Sequence, residues 1–288
     1  MFYPNVQVFL AALIVDLLLG EWPSQIHPVV WMGEMTKLFD IPSGKSWVRF
    51  FLGTSLLTCD MGVWFFISIS TMKLPWILSL PIQVFLLKST FSIRSLYTHV
   101  SRCKTSKTEK LRYATSMIVS RDVSRLDKPH LISAALESLS ENTSDSVTAP
   151  LFYYTLFGLP FAIVYRVVNT LDAMVGYHNT KYEYFGKVSA RLDDALNFIP
   201  SRITATVFAI FSPLKAFRSI FKYGSSKINA AYPMSAFSGV LGVWFEKIGV
   251  YRFEGRKPTM KDVDRGLKIY ILSCTVVILL FSILMVVR

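Results

Sequence analysis

The run Leu267–Val287, LKIYILSCTVVILLFSILMVV, decides the class of protein. It carries no charge between Lys268 and Arg288. About 20 apolar residues cross the hydrocarbon of a bilayer as a helix, so this run predicts a membrane span. Composition agrees along the rest of the chain. Of the 288 residues 52% are hydrophobic and only 17% charged, with a mean hydropathy of +0.42. A soluble domain carries about 25% charge. Disordered, collagen-like and disulfide-scaffold chains are excluded, and a soluble enzyme is disfavoured.

Outward from that run, Val6–Gly20 is a shorter apolar stretch, expected to remain as an anchor because it lacks a basic leader and a small-residue cleavage site. Val48–Ser70 reads as a second clear span and Leu74–Leu87, with Pro75 and Pro81, as its hairpin partner. Val147–Val168 is divided by Gly158-Leu159-Pro160 into halves of about eleven and eight residues. Neither half is long enough to cross, which predicts a re-entrant helical hairpin whose backbone is covered by protein or a wet cavity. The stretch 203–221 is interrupted at Ser212-Pro213, and 222–268 is polar and basic. The expected fold is therefore all-α and polytopic, with four or five spans. A single membrane-embedded domain is organised as N-terminal spans (1–87), a cytoplasmic helical insert (88–146), a re-entrant segment with a polar core (147–202) and a C-terminal region with the final span (203–288).

Thirty-one Lys and Arg against 19 Asp and Glu give a net charge of +12. Eight of those cations lie between Arg102 and Lys128 against three acids. Basic flanks beside apolar runs follow the positive-inside rule, so a lipid surface explains the charge and nucleic acid is not an expected partner. Cys59, Cys103 and Cys274 are too scattered for a zinc site or a disulfide framework. Gly44-Lys45-Ser46 resembles the end of a phosphate-binding loop, but Phe39 occupies the position of its first glycine.

The polar chemistry concentrates between Arg121 and Arg202. Glu137, Glu141 and Asp145 are spaced i, i+4, i+8, which on a continuous helix places three carboxylates on one face. Like charges at that spacing repel unless a cation lies between them, so they are candidate Mg²⁺ ligands. Asn142, Asn169, Asp172, Tyr177, Arg191, Asp193, Asp194, Asn197 and Arg202 follow, crowded against apolar segments. Polar groups at such places are costly and mark functional sites. Carboxylates with amides and arginines suit a phosphate-bearing substrate with Mg²⁺, because oxygens hold the hard cation and guanidinium forks hold phosphate oxygens.

Glu137-Ser138-Leu139-Ser140-Glu141-Asn142-Thr143-Ser144-Asp145 with Ala149-Pro150-Leu151-Phe152 resembles the adenosylcobinamide-phosphate synthases of cobalamin biosynthesis (CbiB/CobD type). So do Tyr165 through Tyr177, Ala190-Arg191-Leu192-Asp193-Asp194, Arg121-Asp122, and an opening motif of Asp16-Leu17-Leu18-Leu19-Gly20 followed by His27-Pro28. One departure is Asn229-Ala230-Ala231-Tyr232-Pro233, where Ala231 stands in place of a glycine. The resemblance implies an ATP-dependent amide ligase that joins aminopropanol, its phosphate or a related amino-alcohol to a propionate of adenosylcobyric acid, with Mg²⁺ and no resident prosthetic group. It implies Glu141, Asp145, Asp172, Asp193 and Asp194 as catalytic or metal-handling groups. Arg121, Arg191 and Arg202 would contact phosphate or carboxylate, and His27, Asn142, Asn169, Tyr177, Asn197 and Asn229 would bind or orient substrate. It further implies a multi-pass cell-membrane protein with its site on the cytoplasmic side, and other cobalamin-pathway enzymes as candidate partners. Two other readings stand beside it: a transporter using Asp16 and Asp60 with a broken helix, and a non-catalytic relative acting as a signalling or scaffold protein.

Overall fold

The computed structural model describes residues 4–38, 44–176 and 182–287. In chain order its helices are α1 (Val6–Leu19), α2 (Pro28–Glu34), α3 (Ser46–Met72), α4 (Trp76–Lys88) and α5 (Ile93–Ser101). There follow α6 (Thr108–Ser116), α7 (Lys128–Thr143), α8 (Ala149–Phe157), α9 (Leu159–Val175) and α10 (Lys187–Leu196). The last four are α11 (Phe198–Ala209), α12 (Pro213–Tyr223), α13 (Ala231–Leu241) and α14 (Met260–Val287). A small antiparallel hairpin, β1 (Glu246–Lys247) with β2 (Tyr251–Arg252), is an addition to the expected all-α fold.

Three stretches are long and apolar enough to cross a membrane: Ser46–Met72, Trp76–Ser101 and Met260–Val287, with the shorter α1 beside them. Much of each is exposed apolar surface, such as Phe66 on α3, Trp76 and Ile77 on α4 and Ile283 on α14, as lipid-facing helices require. The second stretch reaches Ser101 because α5 resumes after a turn at 89–92, beyond the expected boundary at 88.

Contacts within the chain separate two units. The first comprises Met1–Ser92, Ala149–Asn197 and Phe281–Arg288. Its central helix is α9, against which α2, α3, α4, α8 and α10 pack. Gly158, at φ 80°, breaks the chain before α9, and Pro160 at the first turn has the fixed φ that starts it. The α8–α9 pair is stitched by rings, Tyr153 on Tyr165 at 5.3 Å and Phe157 by Phe161 at 5.3 Å. At nine residues α8 is about 14 Å long, short of the ~30 Å hydrocarbon. The other half differs from expectation: α9 runs for 17 residues, because Asn169–Val175 continue the helix past the apolar run. The polar motif therefore sits on α9 rather than after it. On α3, Gly53 allows backbone to pass close by, since a Cβ there would meet the Phe185 carbonyl at 1.8 Å.

The second unit comprises Ile93–Thr148 and Phe198–Leu280. Buried α7 touches α5, α6, α13 and β1, and α13 packs on α11 and α12. Asp127 caps α7 by accepting the His130 amide at 3.0 Å, and Pro129 lies in its first turn. After Thr143 the ladder widens into a π-helical turn, Ser144–Thr148. The continuous helix expected through Asp145 is thus interrupted: Glu137 and Glu141 share α7, while Asp145 belongs to the wider turn. Such turns concentrate at functional sites.

Candidate functional site

In the first unit, Asp193 on α10 is the centre of a polar cluster. Asn169 on α9 donates to its Oδ1 (3.2 Å), and Asn197, one turn beyond Asp193, donates to its Oδ2 (3.0 Å). Tyr165 donates to the Asn197 Oδ1 (2.9 Å), and Arg166 to the Asn169 Oδ1 (3.3 Å). Each amide is thereby fixed with its NH₂ toward the carboxylate. Burial pushes the Asp193 carboxyl above its ordinary range; the two amide donors oppose the rise and neighbouring Asp194 adds to it. Arg166 Nε is buried and makes no hydrogen bond among the described residues, an open donor beside this cluster. Asp172 lies in the last turn of α9, three residues after Asn169. Gly176 leaves room for it, because a Cβ there would lie 2.1 Å from the Asp172 Oδ1. Asp194 is half-buried and Arg191 exposed. Tyr177 lies outside the described residues.

The opening motif of the same unit forms a buried ion network that the sequence did not reveal. Lys88, fully buried at the end of α4, donates to Glu21 Oε2 (2.7 Å) and lies 3.5 Å from Asp16 Oδ1, which is equally buried. His27 Nε2 donates to the same Glu21 oxygen at 2.8 Å, while its Nδ1 accepts the Val29 amide (3.2 Å) and so caps α2. The cap fixes the tautomer and occupies both ring nitrogens of His27. Burial opposes charge on Glu21, yet His27 and the Lys88 ammonium hold its carboxyl down at about 2. The only sequence signal was a lysine closing an apolar run.

In the second unit, Glu137 accepts four hydrogen bonds. Its Oε1 accepts Ser133 Oγ (2.5 Å) and the Glu246 amide (3.2 Å), and its Oε2 accepts Arg121 (3.0 Å) and the Tyr251 hydroxyl (2.6 Å). Burial and then the Glu137 charge push the Tyr251 hydroxyl upward. Tyr251, on β2, is a residue the spacing analysis missed. One helical turn from Glu137, Glu141 is half-buried and makes no hydrogen bond or ion pair among the described residues. Asn142 turns back along α7 to donate to the Ser138 carbonyl (2.9 Å). In the π turn next to Asp145, Ser144 Oγ is buried with no hydrogen-bond partner among the described residues.

Arg202 on α11 is clamped. Its guanidinium lies between the Phe198 and Tyr232 rings, 3.8 and 3.9 Å from their centroids. Nη1 alone donates to the Phe198 carbonyl (2.9 Å), Ser201 Oγ (3.0 Å) and Asn229 Oδ1 (2.6 Å). Asn229 takes φ +56°, a left-handed conformation that asparagine tolerates better than most residues. With both faces and Nη1 engaged, Nε and Nη2 have no partner among the described residues and form a donor edge of the kind that grips carboxylate or phosphate in two places.

Among the described residues no group of three or more His, Cys, Asp or Glu is arranged to hold a metal ion. The donor chemistry fits Mg²⁺ only where carboxylate oxygens remain open. Glu141 qualifies; Glu137, saturated by four protein donors, does not fit.

The fold defines a helical membrane protein, and these clusters gather its carboxylates, amides and arginines. A family model described as CobD/Cbib protein matches residues 9–276. The chain belongs to that family. It is 51% identical to the "Probable cobalamin biosynthesis protein CobD" of Pyrococcus furiosus, over 90% of this chain and 91% of the relative. It is 39% identical to that of Archaeoglobus fulgidus, over 96% and 93%. It is 34% identical to the "Cobalamin biosynthesis protein CobD" of Dehalococcoides mccartyi, over 94% and 92%. No solved structure matches the chain. These relatives give the protein a role in cobalamin biosynthesis.

Proposed function

We propose that the protein is an ATP-dependent amide ligase. It joins an amino-alcohol, such as aminopropanol or its phosphate, to a propionate of adenosylcobyric acid. Carboxylate and amine do not condense spontaneously in water, so the acid is first activated by ATP as an acyl phosphate. The amine then attacks the acyl carbon, the C–N bond forms, phosphate leaves, and the attacking nitrogen loses a proton.

The observation that carries this reading is Asp193. A base that accepts the ammonium proton needs a pKa lifted toward neutrality and a fixed orientation. Burial supplies the first, and the Asn169 and Asn197 amides supply the second. Asp172 and Asp194 shape the charge around it, and Arg191, Arg166 and Arg121 offer contacts to anionic groups. The open edge of Arg202, braced by Asn229, holds a carboxylate or phosphate. Glu141 would be a ligand to the Mg²⁺ that accompanies ATP, whose chemistry is to neutralise phosphate charge during transfer. His27 acts through Glu21 and the start of α2. We place the protein in the cell membrane with its site toward the cytoplasm.

The test is a reconstituted reaction with adenosylcobyric acid, ATP, Mg²⁺ and either amine, read by mass spectrometry. Wild type gives the amide, and Asp193→Asn loses it. Full activity of Asp193→Asn would refute the assignment. A transporter reading draws on Asp60, buried in α3 with neither carboxylate oxygen in good hydrogen-bond geometry, and a liposome flux assay distinguishes it. Asp16, its other support, faces Lys88.

A further inference from the structure

The α5–α6 region of the second unit contains a cavity of about 510 Å³ that the proposed reaction does not use, lined by His99, Arg102, Glu109, Lys110, Tyr113 and Met117 among others. Its frame is built. Cys103, Leu111 and Thr115 are fully buried behind it, Arg112 donates to the Ser124 and Leu126 carbonyls, and Lys128 donates to the Ser106 carbonyl. Most cations nearby are thus spent on structure, and Lys104 pairs with Asp264 at 2.5 Å. Arg102 and Lys110 are different: neither has a hydrogen-bond or ion-pair partner among the described residues, and both border the cavity.

Position fixes the level of this cavity. Tyr270 of α14 donates to the Ile93 carbonyl at 2.9 Å, and Lys104 meets Asp264, so α5 and α14 run antiparallel. The polar end of α5 therefore lies beside the polar start of α14, where its apolar stretch begins. That is the level of the headgroups. Tyr113 and Met117, 70% and 59% exposed, present an aromatic ring and a flexible thioether there.

We propose that this cavity binds a phosphate-bearing ligand, the headgroup of an anionic phospholipid. Arg102 and Lys110 against Glu109 leave one net positive charge, which matches a singly charged phosphodiester. A nucleoside triphosphate would bring several charges that this lining could not balance. His99 Nδ1 donates to the Ser95 carbonyl at 2.8 Å, so Nε2 is the ring nitrogen left to meet a headgroup hydroxyl. Acyl chains would follow the exposed apolar side chains of α14.

The full chain, purified in neutral detergent, is mixed with equal amounts of phosphatidylglycerol and phosphatidylcholine, and retained lipid is read by native mass spectrometry. Wild type keeps phosphatidylglycerol in preference. The double variant Arg102→Gln with Lys110→Gln loses that preference by roughly tenfold or more. Glu109→Gln raises it, a gain that misfolding cannot imitate. The inference is overturned if the double variant keeps the wild-type ratio, if Glu109→Gln brings no gain, or if ATP or inorganic phosphate displaces the lipid from the wild-type chain.

Discussion

Replacing Arg202 by lysine separates charge from geometry. Lysine keeps the cation but loses the planar fork, the double stack between Phe198 and Tyr232, and the three acceptors gathered on Nη1. The free Nε–Nη2 edge can give a bound carboxylate or phosphate two charge-assisted hydrogen bonds, each about 1.5–3 kcal/mol. A lysine that regains one of them forfeits the other, so kcat/KM should fall about 10- to 100-fold. An edge that holds substrate, as proposed, rather than moving a proton puts most of the loss in KM. Arg202→Gln, which also removes the charge, should lose more. Asn229→Ala should reproduce part of the effect by unbracing Nη1. The assay is steady-state amide formation with varied adenosylcobyric acid and varied ATP, with thermal unfolding in detergent as a control for folding. A folded Arg202→Lys protein whose kcat/KM for both substrates stays within about twofold of wild type would refute the clamp.

The pH profile tests Asp193: activity should fall as pH drops through its raised pKa, and Asn169→Ala, which removes an opposing donor, should move that limb to higher pH. Lys88→Met leaves fully buried Asp16 and part-exposed Glu21 without their shared cation and should cost about 3–5 kcal/mol, chiefly from Asp16, seen as a large drop in melting temperature. Glu21 has its folded pKa lowered to about 2, so its contribution is present above about 4.5 and disappears as pH falls toward 2; with a third of the side chain exposed we discount it to about 1–2 kcal/mol. Acid melting curves of wild type and Lys88→Met should converge over that window. Glu137→Gln removes the charge paired with Arg121 and should destabilise by about 2–4 kcal/mol, whereas Glu141→Gln, at a carboxylate with no hydrogen bond or ion pair among the described residues, should leave melting within about 0.5 kcal/mol and lower ligase activity.

The sequence by itself determined the membrane class, the helical content and the family, because these rest on local properties. An uncharged run such as Ile269–Val287 admits few structures in any context, and Gly158 before Leu159-Pro160 breaks a helix wherever it is placed. It also selected Asn169, Asp193 and Asn197, since i, i+4 spacing brings Asp193 and Asn197 together within one helical turn. Tertiary structure decided what each polar residue is free to do. Glu137 and Glu141 look alike in spacing, yet partners from the distant stretches 121, 246 and 251 saturate one and leave the other open. The π turn that removes Asp145 from the expected face depends on packing against α11, which no local pattern encodes. Lys88 is ordinary in the sequence and fully buried in the fold, because only folding brings Asp16 and Glu21 to it, Glu21 across 67 residues of chain and Asp16 from farther still. Periodicity reports which side chains share an element; the energy of a buried charge depends on what arrives from elsewhere.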